Sequence, residues 1–565
     1  MAMAMATPPP EDCGSTFIRD VLSQYPAQFA DLLADAPRFR FQVLLSVPLP
    51  GVPKPRLARH GFRVDHEYFY PASAIKLCAA VAAVQKLDRI RSLFGINVNC
   101  ITPVGLYSLF EGVEDDRSDP SNINQKQITV AHEIRKIFLV SDNQAFNRLF
   151  SFVGHRTINQ AMWDLGMQST RLHHRLSERR SGAENLYSEA IDINEADTVF
   201  TLPPKHSELI LEDNSGLPGV RVGTGYIADD GQLVPQPMDF SKKNYMSTMD
   251  LQDLLIRLVR PDIKVETTGL ELDAAMRVLL MEAMAQYPSQ SANPKYDGTD
   301  YPDDYCKFFL PGLSRVRPKG ALRIYNKIGR AYGFTIDNSY VFDIETGRSF
   351  FLTAVIYTND NGVLNDDKYE YEYADRILAD LAEVLGRALW QIPDSSAALS
   401  SPHDCTPSSL WPSRTKPPTI STFSESRTAT QENEGSKLPA EDKSYPVEKM
   451  LPEPVVISSA EDHSLSRNQS PVQQITSNIV VPEEGSMGSP KEKQNNSGCS
   501  SILQLGADKP VQTDTTNLRT TAEQQSYTFA LLPITQVSPS EVVSSPPCAD
   551  TFKSIKPCYK YFLDE

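Results

Sequence analysis

The sequence predicts an α+β protein with a central antiparallel sheet covered by terminal helices, an inserted all-helical lobe and a disordered tail. Three observations carry this. Between about Ser15 and Asp394 the apolar periodicity runs in the order helix, strands, a long helical block, strands, helix. The last third of that span holds strand-like segments joined by short turns such as "ETGR", as an antiparallel sheet requires. From Ser395 onward Ser, Thr, Pro, Gln and Glu dominate, and such text buries too little apolar surface to offset its chain entropy. The expected boundaries are 1–14 for a disordered N-terminus, 15–394 for the folded domain and 395–565 for the tail.

Each element follows from its residues. "FIRDVLSQYPAQFADLLAD" reads as an opening amphipathic helix, "FRFQVLLSVPL" as a strand and "HGFRVD" as its partner. "AIKLCAAVAAVQKL" is strongly helix-forming. "ITVAHEIRKIFLV" is a helix with an apolar stripe; it stops at "SDN", and helix resumes in "QAFNRLFSFVG" and "TINQAMWDLGM". "STRLHHRLSERRSGAENL" is polar and irregular. "GYIADDGQLV" is a hairpin signal with Asp-Gly at its turn. "LQDLLIRLVRP" and "LDAAMRVLLMEAMAQY" are helices. "LRIYNKIG", "NSYVFDIE" and "SFFLTAVIYT" are strands, and "YADRILADLAEVLGRALW" is the closing helix.

The bulk properties exclude several function classes. A net charge of −16 argues against nucleic acid as a partner, because non-specific binding needs a basic face. The eight cysteines are scattered without a CxxC pair, which excludes zinc ribbons and points to reduced thiols. "AHEIRK" places Lys136 where a zinc-protease helix needs its second histidine, and the adjacent His173 and His174 diverge, so no metal and no cofactor is expected. "MAMAMATPPPEDCGS" lacks a basic and then apolar leader, and no run has the length of a membrane span. A cytoplasmic location without a membrane partner is therefore expected. The tail carries Ser-Pro and Thr-Pro steps and ends in "KPCYKYFLDE", a stretch that could dock on an unknown protein partner.

The chemistry-bearing residues fall in three places. Ser73 and Lys76 in "YPASAIKL" stand three apart at a helix start, so the amine can approach the hydroxyl. A serine needs such a base, and a buried lysine near another cation can be one. Alone the pattern is also what a capped helix start looks like, and a second copy, Ser413 to Lys416, sits in the tail. "SDN" at Ser141-Asp142-Asn143 lies between two apolar helices, where the serine can relay a proton and the asparagine hold an amide, or where the serine or the aspartate simply caps the next helix. Lys327-Ile328-Gly329 follows at a strand edge, where the lysine adds positive charge and the glycine admits close backbone approach.

In this order the motifs resemble S-x-x-K, S-D-N and K-T-G of the penicillin-recognising serine enzymes, the class A β-lactamases and penicillin-binding proteins. "TRLHHRL" resembles the start of the class A Ω-loop, and residues 40–393 are similar to serine hydrolases with a class-A-like domain, including the stretches "HRLS", "YGF" and "NDDKYEY". The resemblance implies a three-layer α/β/α sandwich plus the helical lobe. It also implies a small-molecule amide, β-lactam or ester substrate cleaved through an acyl-enzyme. Ser73 would be acylated and Lys76 would activate it. Ser141 would relay a proton and Lys327 supply charge. Asn143, Gly329 and Arg330 would bind substrate, with the N–H groups of Ser73 and Arg330 as the oxyanion hole.

Two departures stand out. Ile328 replaces the hydroxyl residue that normally helps bind the β-lactam carboxylate, although Arg330 offers a charge nearby. The Ω-loop glutamate that drives deacylation has no counterpart; Leu176 aligns there, and Glu178, two positions on, is the candidate base. Those departures motivate the alternative of a non-catalytic scaffold with a partner-recruiting tail, while serine-dependent glutaminases are a third option.

Overall fold

A computed structural model describes residues 15–50, 55–110, 114–195, 198–263, 269–391 and 456–458. They fall in the first of two compact units, Met1–Ala460 with Ile555–Glu565; the second, Glu461–Ser554, lies outside the described residues. So do the expected disordered N-terminus, the copy at Ser413 and nearly all of the expected tail.

In chain order the elements used below are helices α1 (Phe17–Ser23) and α2 (Pro26–Ala34), strands β1 (Gln42–Leu49) and β2 (Arg56–Phe62), α3 (Lys76–Phe94), β3 (Pro103–Tyr107), β4 (Ile128–Thr129), α4 (Val130–Leu139), α5 (Asn143–Val153) and α6 (His155–Asp164). There follow β5 (Ala190–Glu195), β6 (Thr198–Leu202), α7 (Thr248–Val259), α8 (Ala274–Ala285), α9 (Leu310–Leu313), β7 (Leu322–Ala331), β8 (Phe334–Asp343), β9 (Ser349–Tyr357), α10 (Tyr371–Gln391) and β10 (Val456–Ser458).

Five strands form the central sheet in the order β7-β8-β9-β1-β2, all antiparallel. One face packs against α1, α2, α9 and α10 through Ile18, Phe29, Leu313 and Leu378. The other meets α7 and the helical lobe, whose apolar core is built around α3. The N-terminal half of α3 is buried nearly all round, from Lys76 to Val84, as befits a helix at the centre of a lobe. Helices therefore cover both faces of the sheet, as the expected three layers require. The Asp230-Gly231 hairpin forms, with Tyr226 opposite Val234.

Three differences have physical causes. The opening helix is two helices, because Pro26 has no N–H to give and starts α2 at its first turn. The strands of the last third are longer than their apolar cores, with β7 running on to Ala331 and β8 beginning at Phe334 across a tight turn. The inserted lobe also carries a second sheet, ordered β10-β6-β5-β3-β4, for which no strand was expected, because the alternation Ile191-Asp192-Ile193-Asn194 in β5 is short and sits in otherwise polar text. Its edge strand β10 is the described part of the segment expected to be disordered. Among the described residues, Cys78, Cys100 and Cys306 are free, and no helix is long and apolar enough to cross a membrane.

β7 is an edge strand, so its outer side offers backbone groups that β8 does not use. That edge faces the start of α3, and the candidate site lies where the two meet.

Candidate active site

Ser73 sits in a 3-10 turn, Ala72–Ile75, that runs directly into α3. Neither the turn nor the helix has a side-chain cap, so the Ser73 hydroxyl is not consumed as an N-cap. Ala74 N–H donates to Pro71 O at 2.9 Å and closes the turn. Ala72 holds φ at 47°, a left-handed conformation that alanine avoids unless its surroundings impose it.

One helical turn later Lys76 is completely buried. Its ammonium donates to Asn143 Oδ1 at 2.7 Å, to Asp142 O at 3.1 Å and to Ser141 O, with Ser141 Oγ at 3.4 Å. Among the described residues, none of its hydrogen bonds goes to Ser73 and no carboxylate pairs with it. Burial pushes its pKa well below the usual lysine value, and the charge of Lys327 pushes the same way.

The SDN loop both caps and points inward. Asp142 caps α5, accepting from Ala145 N–H at 2.7 Å, and Lys136 reaches its carboxylate at 3.3 Å. This leaves Ser141 and Asn143 on the cleft side, with Ser141 held at φ 59°. Lys327 on β7 donates to Ser141 Oγ at 2.9 Å and to Ile328 O at 3.0 Å. Burial lowers the Lys327 pKa to about 8. Ser141 Oγ thus lies between two buried lysines.

Gly329 brings β7 onto the Ser73 turn. A Cβ there would stand 2.2 Å from Pro71 O, 2.9 Å from Ala74 N and 3.1 Å from Ser73 N, so only glycine fits. The sequence-expected residues Ser73, Lys76, Ser141, Asn143, Lys327 and Gly329 therefore converge from two layers of the fold. The model of the beta-lactamase enzyme family matches residues 62–389, more than half of the 565-residue chain. The chain belongs to the beta-lactamase enzyme family.

Solved beta-lactamases resemble it at low identity. The one from Sphaerobacter thermophilus shares 12% identity with a TM-score of 0.37, covering 67% of this chain and 98% of that one. A class A enzyme from Clostridium kluyveri shares 15% (TM-score 0.37; 65% and 100% covered). The beta-lactamase from Streptomyces albus G shares 16% (TM-score 0.37; 66% and 100%). No curated protein gives a significant match.

Within this family member the irregular loop after α6 closes one side of the cleft. Arg175 is buried against Glu189 at 3.1 Å and Ser151 Oγ at 2.8 Å, and Arg180 meets the other Glu189 oxygen at 2.9 Å. Asn147 brackets Leu176 by bonds of 2.9 Å to both its N–H and its carbonyl. Leu176 is buried, and the loop residue that reaches the site is Ser177, whose Oγ accepts from Asn143 Nδ2 at 2.9 Å. Glu178 is exposed and ion-paired with Arg180, on the wall of a cavity of about 520 Å3 that Ser73 and His174 also line. His174 donates Nδ1–H to Arg175 O at 2.6 Å, and burial lowers its pKa to about 4, so it is neutral. The side chain of Arg330 turns away from Ser73, pairs with Asp375 on α10 and lies between the rings of Phe308 and Tyr371.

Several residues of the site had no sequence signal. Lys307 is buried behind Lys327 and donates to Asn326 Oδ1, Ile324 O and Met284 O at 2.7–2.9 Å. Asn326 in turn donates to the buried Asp337 at 2.9 Å, placing a carboxylate one amide away from the lysines. Asp119, His132 and Glu133 converge as metal ligands would. Lys136 Nζ at 2.7 Å and Arg148 Nη1 at 2.5 Å already satisfy Asp119, and Arg148 also holds Glu133, so the trio is an ion network beneath the SDN loop.

Proposed function

We propose that this family member is a serine acyl hydrolase that cleaves an amide, β-lactam or ester through an acyl-enzyme on Ser73. The observation that carries this reading is Lys76: an amine that, among the described residues, is buried without a carboxylate partner, one helical turn from a serine whose hydroxyl caps no helix. As an ammonium it has four neutral acceptors within reach of its three protons. As an amine it gives up one of them and gains a lone pair, and burial beside Lys327 favours that form.

In the proposed reaction Ser73 Oγ attacks the carbonyl carbon and its proton passes to Lys76 Nζ. The oxyanion is held by the N–H groups of Ser73 and Arg330, which Gly329 allows to lie close together. Lys76 returns the proton through Ser141 Oγ to the leaving nitrogen or oxygen, the carbonyl re-forms, and the acyl group remains on Ser73. Lys327 keeps Ser141 oriented, and Asn143 holds the substrate amide. Water then releases the acyl group. Glu178 lines the cavity but must leave Arg180 to act as the base for that water, so release is expected to be slow.

A fluorophosphonate and a fluorescent penicillin test the reading on the purified protein. Stoichiometric labelling is expected, lost in Ser73→Ala and slowed at least ~100-fold in Lys76→Met, the range for removing a positioned base. Labelling that persists in Ser73→Ala would sink the assignment.

A further inference from the structure

A cavity of about 660 Å3 opens beside Ser73 and runs along the α10-facing side of β7, within the usual size for small-molecule sites. Its apolar wall is Val140, Tyr305, Phe308, Pro311, Ile328 and Ala379. Two of the three guanidinium groups that line it are ion-paired. Arg330 is held by Asp375 and sandwiched between two rings. Arg315 pairs with Asp380 at 2.6 Å and Glu383 at 3.0 Å. The two remaining rim charges, Asp304 and Arg376, are exposed and of opposite sign. An anion entering here would find Arg315 already paired and would have to compete with Asp375 for Arg330, while Arg376, without an ion pair among the described residues, stands at the exposed rim where water screens its charge. Ile328, with its side chain buried among apolar residues, offers no hydroxyl to such an anion.

We propose that this cavity receives an uncharged, apolar chain or ring of the substrate, and that Asp375 prevents Arg330 from recruiting a carboxylate there. The proposal rests on the hydrolase reading for its chemistry but not for its binding test. Desolvating an apolar chain against such a wall is favourable by roughly 25 cal/mol per Å2. A carboxylate would lose hydration against the apolar wall, where Arg315 and Arg330 are already paired.

The experiment uses two pairs of esters on the full chain: p-nitrophenyl hexanoate against its 5-carboxypentanoate analogue, and hexyl benzoate against 5-carboxypentyl benzoate. The pairs carry the charge on the acyl side and on the alcohol side. In the pair whose chain enters the cavity, kcat/KM of the neutral ester is expected to exceed that of the charged one at least tenfold. Asp375→Asn should then raise the charged-to-neutral ratio at least fivefold by releasing Arg330. Equal or greater activity on the carboxylate ester in both pairs, or a ratio unmoved by Asp375→Asn in both, overturns the proposal. The wild-type preference needs no variant to fold. Should the fluorophosphonate leave Ser73 unlabelled and the esters intact, the hydrolase reading fails, and calorimetry on Ser73→Ala with hexanamide and adipic acid monoamide reads the cavity alone. Tighter binding of hexanamide supports the proposal; equal or reversed affinities, or binding by neither, overturn it.

Discussion

Lys327 shows how one buried amine sets a pH limit. Its ammonium form gives Ser141 Oγ a stronger, charge-assisted hydrogen bond than the neutral amine would, and burial lowers its pKa to about 8. The charged form is present below that value and is lost as pH rises through it. Acylation, measured as kcat/KM, should therefore decline above pH about 8. Arg stays charged across this range, so Lys327→Arg should move the alkaline limb upward, whatever it does to the plateau. A limb unchanged in that variant would assign it to another group. Ser177 gives a second prediction at this scale. Its hydroxyl accepts from Asn143 where a carboxylate could accept equally well. Ser177→Glu should place a base at the site without waiting for Glu178 to leave Arg180. Acyl-enzyme decay, followed by intact mass, is expected to accelerate at least ~10-fold, the low end of general-base contributions being about 100-fold.

The element that matters most is β7, because its free edge is one wall of the site. Gly329→Ala would drive a methyl group into Pro71 O and Ala74 N, backbone atoms that cannot swing aside. The strand or the Ser73 turn must then move, at a stability loss of about 1–3 kcal/mol for such overpacking. Labelling of Ser73 should fall at least ~100-fold, since misplacement of about 1 Å has that effect; a lower melting temperature with undiminished labelling would refute the close contact. The elements themselves were legible to the extent that one physical signal set them. α3 follows from helix propensity, α5 from its apolar stripe, and the last three strands from apolar runs bounded by short turns. The break at Pro26 was written in the sequence as well, but an apolar stripe that runs through it hides the division of α1 from α2. β5 and β6 were not expected, because alternations as short as Ile191 to Asn194 and Phe200 to Leu202 do not distinguish a strand from a loop until β3 is seen beside them.

At the scale of the whole molecule, the site is assembled from segments as distant as Tyr70 and Ala379, and this explains what the sequence could and could not disclose. Ser73, Lys76, Ser141, Asn143, Lys327 and Gly329 were legible because each belongs to a short motif with its own chemistry. The pairing of Arg330 with Asp375 spans 45 residues, and the contact of Asn143 with Ser177 spans 34, so neither leaves a local pattern. The same assembly predicts what the remainder of the chain contributes to catalysis. Every described residue that lines the two Ser73 cavities lies between Tyr70 and Ala379. Among the described residues, the buried members of both large apolar cores end by Leu389, in the last turns of α10. Ending the chain after Gln391 removes the β10 strand from the edge of β6, in the second sheet and outside both cavities. Fluorophosphonate labelling of a 1–391 protein should therefore stay within about twofold of the full chain, since contacts outside the site shift a barrier by no more than a few tenths of a kcal/mol. Its melting temperature should fall by a few degrees at most, for the loss of one short strand pairing from a sheet edge. A collapse of labelling in a protein that still melts cooperatively would show that residues beyond 391 complete the site, and would move the tail from the periphery of the mechanism to its centre.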